Sequence, residues 1–308
     1  MFKTLFIAIS LLTCSPCKPL YSHYGHTALR VLDTESGYDI VYNYGLFSFE
    51  EDHFYWKFVK GETYYQLGCE PAYFAFKDYA EEGREVYEQW LNLTDEQARK
   101  VADMLEENYR PENRTYLYNF VFDNCATRPY RLLVKALGDS LSSTYTGWQG
   151  KPYRPFISHY TGRGSWADFG INMVFGARAN QPMNVEQTLF LPEELMNYLQ
   201  QARFADGTPV VKAGHVGKFV IQPVPWYKTW YAGAAVFAIL MVVLSWWDRR
   251  RGRLSYGVDI ALGVVYVLLI GLVVFLTFFS IHPLVGFNIR LLLFPMIHLC
   301  ARLIYIIR

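Results

Sequence analysis

Residues 116–133 read YLYNFVFDNCATRPYRLL, and the fold turns on how this stretch is read. Tyr118, Phe120, Val121 and Phe122 are aromatic or β-branched and predict a short strand. Asp123 and Asn124 are good helix N-caps, and Cys125 then opens a helical pattern. Leu132, Leu133, Ala136 and Leu137 form its apolar side, and Gly138 is its stop. This puts Cys125 in the first turn of a helix, after a strand. Unpaired backbone N–H groups and the positive end of the helix dipole gather there. A thiol at that place is expected to have its thiolate stabilised and its pKa lowered. The competing reading is a small buried core residue. Strand, caps and helix start together favour a nucleophile.

A thiol nucleophile needs a base. From His26 the residues alternate, with Thr27, Leu29 and Val31 on one face and His26, Ala28 and Arg30 on the other. That is strand period. Asp33 to Gly37 predicts a turn, and Tyr38 to Tyr44 a second strand ending at Gly45, so a hairpin is expected. His23 and His26 are both candidate bases. His26 begins the strand directly, and Gly25 before it is expected to leave room for Cys125 to approach.

The chain has 308 residues, 52% of them hydrophobic and 18% aromatic, and the apolar excess lies after Trp226. One boundary is therefore expected, between a water-soluble domain over 1–225 and a membrane domain over 226–308. The net charge of +1 carries no nucleic-acid footprint. Cys14, Cys17, Cys69, Cys125 and Cys300 are odd in number, so at least one thiol stays free. Cys14-x-x-Cys17 is not completed by a second such pair or by histidines, so no metal is expected.

Lys3 followed by the apolar run Leu5 to Leu12 fits a signal peptide, with Cys14 in an imperfect lipobox; it fits a buried strand equally well. Phe47 to Phe58 is strongly aromatic, and Gly61 to Leu67 predicts a strand. Thr94 to Gln97 is a capping box for a helix to about Tyr109, with Ala98, Val101, Ala102 and Leu105 inward. Gly147 to Gly164 predicts a long loop, Leu191 to Leu195 a helix start, and His215 to Pro223 a last strand. Three membrane spans follow: Trp230 to Trp247, Gly257 to Phe279 and Ile289 to Ile307. Trp and Tyr flank the first span, and Arg249, Arg250, Arg251 and Arg253 follow it. The positive-inside rule makes that loop cytoplasmic and the first 225 residues external. An export signal is then expected upstream of His26.

The segments LYSHYGHTALRV, VYNYGLFSF, NLTDEQ, NYRPENRTYLYNF, DNCATR and FLPEEL resemble the Lnb-type lipoprotein N-acyltransferase family of Gram-negative bacteria. The resemblance covers nearly the whole chain. It implies an α+β fold: a permuted papain-like (NlpC-type) domain in the periplasm, followed by a transmembrane helix region in the inner membrane. It implies Cys125 as nucleophile and His26 as base. Asn43 and Tyr44 are the options for orienting the histidine, with Asn43 favoured. His23, Tyr44, Asn124 and Arg128 are expected around the substrate. The implied reaction needs no cofactor. It moves an acyl chain from a phospholipid, through a Cys125 thioester, to the α-amine of the lipidated N-terminal cysteine of a bacterial lipoprotein. A cysteine hydrolase of the cell wall and a non-enzymatic membrane protein are the alternatives. Ile9 to Pro16 matches a strand of the mature domain in this family, against the lipobox. Cys17 and Lys18 replace the Gly and the acidic residue usual there, and the family often continues beyond three spans.

Overall fold

The computed structural model describes residues 7–19, 22–138, 141–253 and 255–286. The expected third span over 289–307, and Cys300 within it, lie outside the described residues. Contacts group the chain into two compact units. One runs to Lys151 and includes Pro182–Val220; the other joins Pro152–Gln181 to the residues from Ile221 onward. Sequence alone draws one cut after 225, whereas here residues 152–181 group with the apolar helices.

The first unit is built on a seven-stranded antiparallel sheet. Its strands are β1 (Ile7–Cys14), β2 (His26–Asp33), β3 (Tyr38–Leu46), β4 (Tyr64–Pro71), β5 (Val86–Leu91), β6 (Thr115–Leu117) and, at one edge, a strand over Val211–Gly214. In space the order is β6-β4-β3-β2-β1-β5 and then that edge strand. Helix α1 (Phe54–Lys60) links β3 to β4, α2 (Ala72–Glu81) links β4 to β5, and α3 (Asp95–Tyr109) and α4 (Thr127–Leu137) flank β6.

Both faces of the sheet are covered, which explains the run at Ile7–Cys14 that sequence left open. Ile9 and Leu11 of β1 pack with Leu29, Val31 and Tyr42 against Val101 and Leu105 of α3 and Leu132 and Leu133 of α4. Leu12 and Cys14 point the other way and pack with Ala28 and Val41 against Ala72, Ala75 and Tyr79 of α2. A strand buried on both faces loses its polar alternation and reads as a continuous apolar segment. Residues 7–14 are therefore a central strand, and the lipobox reading of Cys14 fails. That thiol is fully buried, opposite His26 across β1 and β2.

The helix at Thr94 forms as expected, with both halves of the capping box made. Elsewhere local chemistry overrides the pattern. The strand expected over 118–122 is displaced to Thr115–Leu117. Asn119 Oδ1 accepts from the backbone N–H groups of Val121 and Phe122 at 3.1 and 2.9 Å, closing a side-chain turn. The long loop expected over 147–164 contains helix α5 (Tyr153–Thr161), which is followed by α6 (Trp166–Val174). The expected last strand over 215–223 is irregular, and the edge strand ends at Gly214. Helix α7 (Pro192–Gln201) carries Pro192 in its first turn as expected.

In the second unit, Arg154 of α5 donates to the carbonyl and side-chain oxygens of Asn172 of α6, each at 2.9 Å. Two further helices, α8 (Trp230–Arg251) and α9 (Tyr256–Phe279), have 22 and 24 residues. At about 1.5 Å per residue both exceed the roughly 30 Å hydrocarbon core of a bilayer. Both are apolar enough to cross a membrane, and their apolar surface is almost wholly outward. Arg250 and Arg251 stack on Trp246 and Trp247, 4.3 and 4.2 Å from the ring centres.

Gly25 stands at the entry to β2 with φ +78°, and an added Cβ would lie 2.6 Å from Phe219 and 2.7 Å from the Cys14 carbonyl. Its freedom serves the turn and this packing. Gly25→Ala combines left-handed strain with a backbone clash. It should destabilise the protein by about 2 kcal/mol or more, measured by thermal or denaturant unfolding in detergent.

Candidate active site

His26 is the first residue of β2, and Asn43 lies on the neighbouring β3. The His26 Nε2 to Asn43 Oδ1 distance is 3.0 Å. The amide cannot be turned round, because its two ends have different partners. Tyr79 of α2 donates its hydroxyl to Asn43 Oδ1 at 2.8 Å, and Asn43 Nδ2 donates to Glu70 Oε1 at 3.3 Å. With Oδ1 fixed as acceptor, His26 Nε2 must carry the ring proton, and Nδ1 is the free lone pair.

Cys125 is held by Asn124. Asn124 Oδ1 accepts from the N–H groups of Ala126 and Thr127, both at 2.9 Å, and Thr127 Oγ1 accepts from the Asn124 N–H at 2.8 Å. The other end of the amide donates to the carbonyls of Phe120 and Phe190 at 2.7 and 2.8 Å. The Asn124 amide is spent inside the protein, fixing the turn that carries Cys125 ahead of the helix. The regular helix begins at Thr127 rather than Cys125. Arg128 N–H reaches the Asn124 carbonyl at 3.1 Å, but the next donor would be Pro129, which has no N–H to offer Cys125.

The backbone N–H groups of Thr27 and of Cys125 itself act on the Cys125 sulfur and favour its thiolate. Thr27 directly follows His26, so Cys125 sits at the start of β2. It also lies at the end of β3: a Cβ on Gly45 would be 3.7 Å from Cys125 Cβ. The structure therefore brings Cys125, His26 and Asn43 to one end of the sheet.

Electrostatics here differ from the sequence expectation. Burial pushes the Cys125 thiol up to about 11, against the lowering by the two N–H groups and the Arg84 charge. Burial pushes His26 down to about 4, only partly opposed by its bond to Asn43. Desolvation outweighs the helix-end effect for the thiol. At neutral pH the resting pair is thiol and neutral imidazole, not thiolate and imidazolium.

The other expected residues have definite places. His23 Nε2 lies 3.1 Å from the Lys18 carbonyl, with no recorded hydrogen bond to Cys125, His26 or Asn43. The Tyr44 hydroxyl accepts from Asn108 Nδ2 at 2.7 Å. Arg128 is clamped by both oxygens of Asp123 at 2.9 and 2.8 Å, with its guanidinium 3.4 Å from the centre of the Tyr116 ring.

Sequence reading missed Tyr79, Glu70 and Arg84. Arg84 is largely buried, 2.9 Å from Ser22 Oγ and 2.7 Å from Glu82 Oε2, and its charge reaches Cys125 and His26. The Cys14 thiol, beside the Tyr79 hydroxyl, is pushed up to about 12 by burial. None of these residues stands in a motif; only the pairing of β1, β2 and β3 and the packing of α2 assemble them.

Two family models match the chain. One, the Lnb N-terminal periplasmic domain, covers residues 5–153 and so includes His26, Asn43 and Cys125. The other, the Lnb transmembrane domain, covers 228–308 and includes α8 and α9. The chain belongs to the Lnb family. Membership points to a membrane protein with a periplasmic domain, acting in lipoprotein processing as an enzyme of lipoprotein maturation. No curated protein and no solved structure matches it.

A thiol titrating near 11 has a thiolate fraction that grows with pH throughout the neutral range. Alkylation of Cys125 by iodoacetamide should rise about tenfold per unit between pH 7 and 10, read by peptide mass spectrometry. A rate already flat above pH 6 would mean a preformed ion pair and would contradict this assignment.

Proposed function

We propose that this protein is a cysteine-dependent lipoprotein N-acyltransferase of the inner membrane. The observation that carries the reading is the fixed direction of the Asn43 amide, which leaves His26 Nδ1 as a free base beside the Cys125 turn. A thiol, a base with the correct tautomer and an orienting amide are the parts of an acyl-transfer site of papain-like logic. Family membership and the two apolar helices support lipid substrates held in the same membrane.

The first half-reaction starts from the neutral pair. As Cys125 Sγ attacks the carbonyl carbon of a phospholipid acyl ester, its proton passes to His26 Nδ1. The new C–S bond gives a tetrahedral oxyanion. Collapse breaks the C–O bond, and the departing lysophospholipid oxygen takes the proton back from His26. An acyl-thioester remains on Cys125. The α-amine of a diacylated lipoprotein cysteine then attacks the thioester. His26 accepts the amine proton and returns it to the leaving sulfur, completing the amide. Asn43 holds the ring and stabilises the transient imidazolium through the Nε2–H bond. The neutral resting state costs little here, because proton transfer accompanies attack.

The reading places the arginine cluster after Trp247 in the cytoplasm and the sheet domain in the periplasm. A reporter fused after Arg253 should be active only if it works in the cytoplasm, and one fused after Val220 only if it works outside. The reverse pattern would overturn the topology.

Purified full-length protein in detergent, given phospholipid alone, should gain the mass of one acyl chain. The adduct should map to Cys125 and leave with hydroxylamine, as thioesters do. Adding a diacylated lipopeptide should discharge it onto the peptide amine, whereas a hydrolase would discharge it only to water. Cys125→Ala and His26→Ala should each abolish loading. Retained loading in Cys125→Ala, or an adduct on Cys14, Cys17, Cys69 or Cys300, would sink the proposal.

A further inference from the structure

Most tyrosine hydroxyls near the sheet have partners. Tyr44 bonds Asn108, Tyr79 bonds Asn43, and Tyr42 bonds Glu106. Tyr116 is different. It lies on β6, paired with Tyr65 of β4, and is only 6% exposed, yet its hydroxyl is buried with no hydrogen-bond partner. A buried hydroxyl left unpaired costs about 1–3 kcal/mol. Such a cost calls for an explanation at each place where it occurs.

The location supplies one. A Cβ on Gly45 would stand 3.7 Å from Cys125 Cβ and 3.9 Å from Tyr116 Oη, so the nucleophile and the unpaired hydroxyl border the same small space. Gly45 has no side chain to fill that space. The ring is locked from two sides: Arg128 lies 3.4 Å over its centre, and Tyr44 meets it edge-on at 6.3 Å. Asp123 in turn holds Arg128 with two bonds. The hydroxyl is therefore preorganised as well as unpaired. Burial pushes the phenol far above its ordinary value, with Cys125 adding to the shift, so it keeps its proton and remains a donor.

We propose that Tyr116 is a further catalytic residue, whose hydroxyl donates to the acyl carbonyl oxygen as Cys125 attacks and so stabilises the oxyanion. The proposal rests on the acyl-transfer reading of Cys125. When Sγ bonds the carbonyl carbon, the C=O π electrons move to oxygen, and that oxygen accepts the Tyr116 hydrogen bond. No proton leaves Tyr116. On collapse the C=O bond re-forms, the ester C–O bond breaks, and the hydroxyl is free again. The same donor serves the second half-reaction, because the amine attacks the same carbon. Donors aimed at developing charge in a water-poor site act strongly, since they need no reorganisation when the charge appears.

The test is Tyr116→Phe in the full-length protein, which keeps the ring and its contacts with Arg128 and Tyr44. Acyl loading from phospholipid should slow by about 10²–10³-fold, the usual effect of losing one oxyanion donor. Alkylation of Cys125 by iodoacetamide forms no oxyanion, so its rate should stay unchanged. The melting temperature should hold or rise, because an unpaired polar group has been removed. Unchanged loading would overturn the proposal. So would a parallel fall in loading and alkylation, which would put the hydroxyl's action on the thiol, or a lower melting temperature, which would make the role structural. Cys125→Ala in the same assay separates the two readings. If it abolishes loading while Tyr116→Phe does not, only the Tyr116 role fails; if it loads normally, the nucleophile assignment fails first.

Discussion

A carboxamide has two unlike ends, and the site depends on which way Asn43 presents them. Tyr79 comes from α2 and Glu70 from β4, and together they leave the oxygen for His26. One side chain on β3 thereby links three neighbouring elements and selects the histidine tautomer. Reversing the amide would place an N–H against His26 and push the ring proton to the other nitrogen. Directionality, more than the strength of any one bond, decides which histidine nitrogen carries the lone pair.

Burial sets the second constraint. The same packing that orients the pair also withdraws it from water, and this suppresses charge on both partners. Arg84 does not undo this, since it favours thiolate but disfavours imidazolium. A buried neutral pair is chemically quiet until an electrophile arrives. For an enzyme with a thiol outside the reducing cytoplasm, this also limits oxidation, which follows thiolate character.

How much of this was legible in the sequence depends on the kind of signal. The β2–β3 hairpin and the capping box at Thr94 could be read because each rests on local pattern. The α+β class followed by apolar helices was legible for the same reason. Asn43 was favoured over Tyr44 only through resemblance; the structure shows the amide at His26 and the Tyr44 hydroxyl turned to Asn108. What escaped is what desolvation and long-range pairing decide. The helix-start argument for Cys125 omitted burial and so gave the wrong direction for its thiol. Asn124 looked like a residue for substrate, yet its partner Phe190 is 66 residues away. Gly25 seemed to make room for Cys125, but the atoms nearest to an added Cβ there belong to Phe219 and the Cys14 carbonyl.

The place of β1 has a consequence for how the domain matures. This strand comes first in the sheet's sequence but sits in its middle, with β2 on one side and β5 on the other. Its pairing with β2 is nearly local, whereas Ser10 reaches Glu88 of β5 across 78 residues, at 2.7 Å. During export the N-terminal strands emerge first. Until β5 follows, β1 shows an open edge and two apolar faces, a template for pairing with the wrong chain. Ser10, Glu88 and Arg30 form a polar cluster on the α2 side of the same strands. Completion of that cluster marks the moment when the edge closes, so holdase chaperones outside the cytoplasm would find their target in the chain that has not yet delivered β5.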